Sequence, residues 1–170
     1  MRAQLFSFDF IVSIALIILL LGMAIYVSDK TSEAINSGEG SRQMQNSLSY
    51  SLSALVLSPG DPTNWNRMEF SDGNVRSIGL AASPNVLDGR KVVDFFAIAG
   101  SSFSNYSALK AILGLNYPSS NFSVTIYDSE GMELYSTEYL PGSDATVYAG
   151  ERLALLEGEG VRLKMMVWVE

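Results

Sequence analysis

The chain has 170 residues, 48% apolar and 17% charged, and its 11 basic and 18 acidic side chains leave a net charge of −7. That is enough apolar material for one domain plus an appendage and too much for a disordered chain, while the acidic balance (pI about 4.5) leaves no electrostatic footprint for nucleic acid. Histidine and cysteine are absent, which excludes the usual zinc sites, haem and iron–sulfur ligation, disulfides, and Ser-His-Asp or Cys-His catalysis.

The first predicted element is an apolar helix. From Phe10 to Val27 no charge interrupts the chain, and only Ser13 and Gly22 break the run of large apolar residues and alanines. At about 1.5 Å per residue such a helix is roughly 27 Å long, close to the hydrocarbon thickness of a bilayer. The run is longer than the core of a removable secretory signal and leaves through Val27-Ser28-Asp29-Lys30 without a small-x-small cleavage site, so it is expected to be retained. Arg2 and the α-amino group on one flank place the N-terminus in the cytoplasm and the rest of the chain outside, single-pass.

Asp9, between Phe8 and Phe10 at the mouth of this helix, has two readings. At the interface, near the helix N-terminus, a carboxylate gains about 0.3–1 kcal/mol from the macrodipole and needs no partner. Carried to mid-bilayer it costs about 2.5–3.5 kcal/mol. Such an acid would then neutralise the α-ammonium of a neighbouring helix and set the register of an assembly.

Arg2-Ala3-Gln4, then Ser7 and Asp9, then a long aliphatic helix together resemble the class III signal peptide of archaeal type IV pilins and pilin-like proteins. Pro59-Gly60-Asp61-Pro62-Thr63-Asn64-Trp65, Ile78-Gly79-Leu80 and Leu113-Gly114-Leu115 resemble stretches that recur in such proteins. The resemblance implies cleavage by a prepilin peptidase after Ala3 or after Gln4. It also implies an assembly role for Asp9, and partners that are membrane lipid and other pilin subunits or copies of the chain itself. Ala3 stands where the family more often has glycine, and Asp9 where it more often has glutamate.

Beyond the span, Met44, Leu48, Leu52, Leu55 and Val56 recur at helical steps and predict an outer stalk helix that ends at Ser58-Pro59-Gly60-Asp61-Pro62, with Gly38 and Gly40 as its weak point. Two short helices follow. The first runs from Asp88 as N-cap to Ala99 with Val92, Val93 and Phe96 on its packing face, and the second from about Ser104 to Leu113 with Tyr106, Leu109 and Leu113. From Asn121 the period changes to two and predicts a hairpin around Asp128-Ser129-Glu130-Gly131. Strands at Thr146 to Leu156 and Val161 to Val169 follow, joined by Glu157-Gly158-Glu159-Gly160. The expected fold is α+β: a long N-terminal hydrophobic transmembrane or stalk helix packed on a C-terminal antiparallel β-meander with two short helices. Its parts are a leader at 1–3, a transmembrane or filament-core helix at 4–30, an outer stalk at 31–58 and an extracytoplasmic head at 59–170.

Other candidate sites have plain structural readings. Asp128, Glu130 and Glu133 are read as a turn rather than a calcium loop, since the 12-residue spacing of an EF-hand is absent. Trp65 is expected in the core, and Trp168, opposite the valines of the last strand, is the more open to a partner. Asn105 and Asn121 begin Asn-x-Ser triplets and are candidate glycosylation acceptors. No cofactor, metal site or enzymatic activity is expected. The chain reads as a structural pilin-like or pseudopilin subunit of a type IV-like surface filament, with a permanently membrane-anchored binding or sensing module as the alternative.

Overall fold

The computed structural model describes the backbone of residues 2–68, 73–117, 119–137 and 139–169, and the side chains of these residues other than 2–9, 29 and 31–39. Helix α1, Arg2–Leu57, contributes to both of two compact units, Met1–Arg42 and Gln43–Glu170. In the first unit the backbone is helical and runs through Gly38 and Gly40, and every described side chain from Phe10 to Ser28 is exposed. The helix Phe10–Ser28, 19 residues, is by length and composition long and apolar enough to cross a membrane.

The second unit is α+β. Its elements are β1 (Ala81–Ser83), β2 (Val86–Leu87), α2 (Gly89–Ser101), α3 (Phe103–Ile112), β3 (Ser120–Tyr127), β4 (Glu133–Ser136), β5 (Thr146–Leu156) and β6 (Glu159–Val169), with a 3-10 turn at Trp65–Arg67. Residues Gln43–Leu57 of α1 bury the predicted stripe Met44, Leu48, Leu52, Leu55 and Val56. The stripe is seated by a missing side chain: a Cβ on Gly150 of β5 would lie 2.7 Å from Leu52 Cδ1 and 3.5 Å from Leu48 Cδ2. Ser51, on the same buried side, places its hydroxyl 2.7 Å from Leu113 O at the end of α3.

The sheet corrects the expected meander. It has six strands in the order β1-β2-β5-β6-β3-β4 and is mixed, because β2 runs parallel to β5 while the other pairings are antiparallel. The two hairpins β3–β4 and β5–β6 do not follow one another across the sheet. Instead β6 pairs with β5 on one side and β3 on the other, so β4 is carried to the far edge. Strand β6 takes the centre because Val161, Leu163, Met165 and Val167 are buried on one face and Trp168 on the other. The β5–β6 connection is also tighter than expected: Glu157 and Gly158 alone make the turn, and β6 begins at Glu159.

The helices follow their caps. The Asp88 carboxylate accepts the amides of Arg90 and Lys91 at 2.9 and 3.4 Å and so starts α2. The buried face of α2 is Val92, Phe95 and Ala99, with Phe96 partly covered and Val93 exposed. The one-residue shift from the expected face follows the spacing from Val92 to Phe95 and on to Ala99, which keeps one side of a 3.6-residue helix against the core. Lys91, largely buried, donates from Nζ to Pro59 O at 2.7 Å. Burial lowers its pKa, partly opposed by the Asp88 charge.

Side chains close the β3 edge beyond β4. The Val124 carbonyl accepts the Thr137 amide at 3.1 Å, and the Val124 amide donates to Thr137 Oγ1 at 3.1 Å. The Tyr106 hydroxyl donates to Phe122 O at 2.8 Å and accepts the Phe122 amide at 2.8 Å, with the two rings stacked. Lys110 Nζ donates to Ser120 O. A tyrosine, a lysine and a threonine thus stand where another strand would.

Two outcomes test this packing. The segment Ile78–Ala81 lies against the end of α1, with Leu80 and Ala81 amides donating to Leu55 O and Ser58 O, so a Cβ on Gly79 would sit 1.9 Å from Ser58 O. Gly79→Ala is expected to cost at least about 1–3 kcal/mol in chemical denaturation, whereas Gly100→Ala, which meets nothing within 4 Å, is expected to be neutral or slightly stabilising. Burial pushes the Tyr106 hydroxyl up to about 12 from 10.0, against the opposing hydrogen bond to Phe122. Its neutral form is the one the fold holds. The stability tied to it is therefore complete below pH 10, the unfolded value, and is lost as the pH climbs through 12. Thermal melts followed by circular dichroism should fall across that window, and Tyr106→Phe should flatten the fall while costing about 1–3 kcal/mol at neutral pH by stranding the Phe122 groups.

Candidate functional site: the apolar N-terminal helix

The functional candidate is the segment Phe10–Ser28, because its apolar side chains are all exposed. Ile17, Ile18, Leu19, Leu20, Leu21 and Met23 are all exposed. An aqueous helix with this surface has no apolar stripe to bury and no polar face to wet; it is apolar all round, as a helix is in lipid or inside an assembly of like helices. Ala3, Gln4 and Asp9, the residues expected to act in processing and assembly, lie on helical backbone, and their side chains fall outside the described residues.

The remaining sequence candidates are in the second unit. Asn105 sits in the first turn of α3 and donates from Nδ2 to Ser101 Oγ at 2.9 Å, while its amide is capped by Ser102 Oγ. Asn121 is opposite Trp168 in the β3–β6 ladder, and the Phe122 and Ser123 that complete its triplet are buried. The two acceptors are thus unlike: Asn105 and Ser107 stand on a helix surface, and Asn121 belongs to a paired strand.

Asp128 serves the β3–β4 turn, its Oδ1 accepting the amides of Glu130 and Met132 at 2.9 and 2.8 Å. Among the described residues no three carboxylates converge on one point. Asp61 is exposed beside Arg76, with 3.8 Å between the charged atoms. Trp65 is fully buried, its indole N–H donating to Gly79 O at 2.9 Å.

Trp168 is not open to a partner. It is 2% exposed, and its face-mates Ser123 and Thr125 are buried too, so both faces of the sheet are covered at that end. Among the described residues Trp168 Nε1 and Ser123 Oγ have no hydrogen-bond partner, a cost of about 1–3 kcal/mol each in a dry site. Alternation along one strand marks two faces but not whether the outer one is also covered, which is why sequence reasoning placed Trp168 outside.

Sequence reasoning missed a second surface feature. An open cleft of about 730 Å³ lies on the outer sheet face between the Pro84–Asn85 turn and the Asp128–Gly131 turn, floored by Leu153, Leu155 and Arg162. Arg162 lies over the Tyr127 ring at 5.4 Å and 3.8 Å from the Glu151 carboxylate. The exposed Leu153 and Leu155, on one face of β5, were the signal available.

No family model matches the chain, and neither a curated protein nor a solved structure matches it. The functional reading therefore rests on the segment Phe10–Ser28 itself. Leu19→Arg places a charge near its middle, where insertion costs about 2.5–3.5 kcal/mol. The variant is expected to shift from the membrane pellet to the carbonate-extractable fraction, and Leu19→Ala is not.

Proposed function

We propose that the chain is a structural pilin-like subunit, inserted in the cell membrane by its N-terminal helix and assembled through that helix into a type IV-like surface filament. The observation that carries this reading is the outward-facing apolar surface of Phe10–Ser28, on the same helix that supplies the buried Met44–Val56 stripe of the second unit. A lone anchor needs only the first property. Because the apolar segment and the domain belong to one chain, packing like segments side by side gathers the domains they carry. In lipid and in a filament core the apolar surface is equally satisfied, and transfer between the two is not opposed by exposure to water. Asp9, at the end of the apolar run, would pair with the α-ammonium freed on a neighbouring subunit and set the axial register.

The second reading, a permanently anchored binding or sensing module, is favoured by the cleft over Leu153 and Arg162. N-terminal mass analysis separates the two. On coexpression with an archaeal prepilin peptidase the protein is expected to acquire a new N-terminus at Gln4 or Leu5, and Asp9→Ala is expected to insert in the membrane normally but to be depleted from sheared filaments. An N-terminus that the peptidase leaves unaltered, together with indifference to Asp9→Ala, would return the protein to the anchor reading.

A further inference from the structure

The sheet treats its strand edges unequally. At β3 the outward groups of Ser120, Phe122 and Val124, beyond β4, find Tyr117 and Lys110, Tyr106, and Thr137. At β5 the corresponding groups are left open. Glu157 and Gly158, with φ of 55° and 89°, form a two-residue turn, which makes Leu156 and Glu159 a hydrogen-bonded pair. The register of β5 on β6 then continues without a shift, so Ala154, Arg152, Gly150 and Tyr148 direct their backbone groups to β6. Val147, Ala149, Glu151 and Leu153 direct theirs away. The Leu155 amide confirms the alternation, since it donates outward to Asn85 O at 2.8 Å.

Strand β2 covers only Leu155 and Leu156. Among the described residues no backbone group pairs with the outward N–H and C=O of the other four, and only the Arg152 guanidinium reaches one of them, Glu151 O at 3.1 Å. All four residues are exposed, Leu153 by 77% and Val147 by 41%. The stretch contains no proline and no bulge, two of the usual protections of an edge, and its charged residues are Glu151 and Arg152.

We propose that the Val147–Leu153 edge of β5 docks an extended, amphipathic segment of a partner protein as a seventh strand. Outward groups recur every second residue, about 6.8 Å apart, a spacing that another strand matches. The chemistry of that strand follows from what flanks the edge. On the outer face Val147 and Leu153 call for apolar side chains. On the inner face α1 crosses Gly150 through Leu48 and Leu52, and the positions next around the helix, Gln45 and Ser49, are exposed and polar. A second copy joined β5 to β5 does not fit. A continuous sheet would put both α1 helices on one face above strands about 4.8 Å apart, whereas packed helices need about 8–10 Å. The docked strand therefore brings no helix on that face. The inference rests on the second unit alone and does not depend on filament assembly.

Hydrogen exchange by nuclear magnetic resonance on the full chain in detergent micelles tests it, with the capped octapeptide Lys-Thr-Val-Thr-Val-Thr-Val-Lys at millimolar concentration as probe. The amides of Val147, Ala149, Glu151 and Leu153 are expected to exchange freely without peptide and at least tenfold more slowly with it, while those of Tyr148, Gly150 and Arg152 stay protected throughout. Ala149→Pro removes an outward N–H and spares the β6 ladder, and is expected to abolish the slowing. Should that variant misfold, the Val147→Lys and Leu153→Lys double variant keeps the backbone and is expected to weaken the peptide effect at least tenfold. Protection of the four amides without peptide would show the edge covered by the chain itself, and protection that rises with protein concentration would show a second copy. Either result, or no slowing with peptide, overturns the proposal.

Discussion

The second unit is organised around the place where Leu48 and Leu52 meet a strand with no side chain. Gly150 lets the helix come down onto β5, because any larger residue would drive a Cβ to 2.7 Å from Leu52 Cδ1. From that seat the rest follows. Leu55 and Val56 turn toward the Leu80 and Asn85 segments, which bond the last carbonyls of α1, and Ser51 reaches the end of α3. A glycine inside a strand ordinarily weakens it, and here the loss is offset by the burial of leucines that a flat strand surface could not admit.

The same geometry explains why the sheet is closed on one side and open on the other. Helices α2 and α3 lie toward β3, where Tyr106 and Lys110 can cap unpaired backbone. On the β5 side α1 is the outermost helix, and its exposed flank offers no group that bonds the strand edge. Strand β2 is too short to substitute, pairing at two positions only.

Much of this was legible in the sequence where the signal is local. The Met44–Val56 stripe, the Asp88 cap, the Tyr106, Leu109 and Leu113 face and the limits of β5 all depend on residues within a few turns or one strand of each other. What depended on distant partners was not legible. The passage of β6 between β5 and β3, the parallel contact of β2 and the covered outer face at Trp168 are choices among pairings that one strand's alternation cannot rank. The apolar helix was the clearest element of all, since 19 residues without a charge have few destinations, whereas the readings of Ala3, Gln4 and Asp9 concern chemistry that a fold does not display.

The tight Glu157–Gly158 turn divides the contacts of β5 into near ones and distant ones. Strands β5 and β6 can zip together from that turn by neighbouring contacts alone, whereas the stripe on α1 that they receive lies far from them along the chain. Without that sheet Leu48, Leu52 and Leu55 have no strand to rest on. The two apolar segments of α1 are told apart by patterning: a stripe on one side suits a seat on a strand, and a surface that is apolar all round suits none.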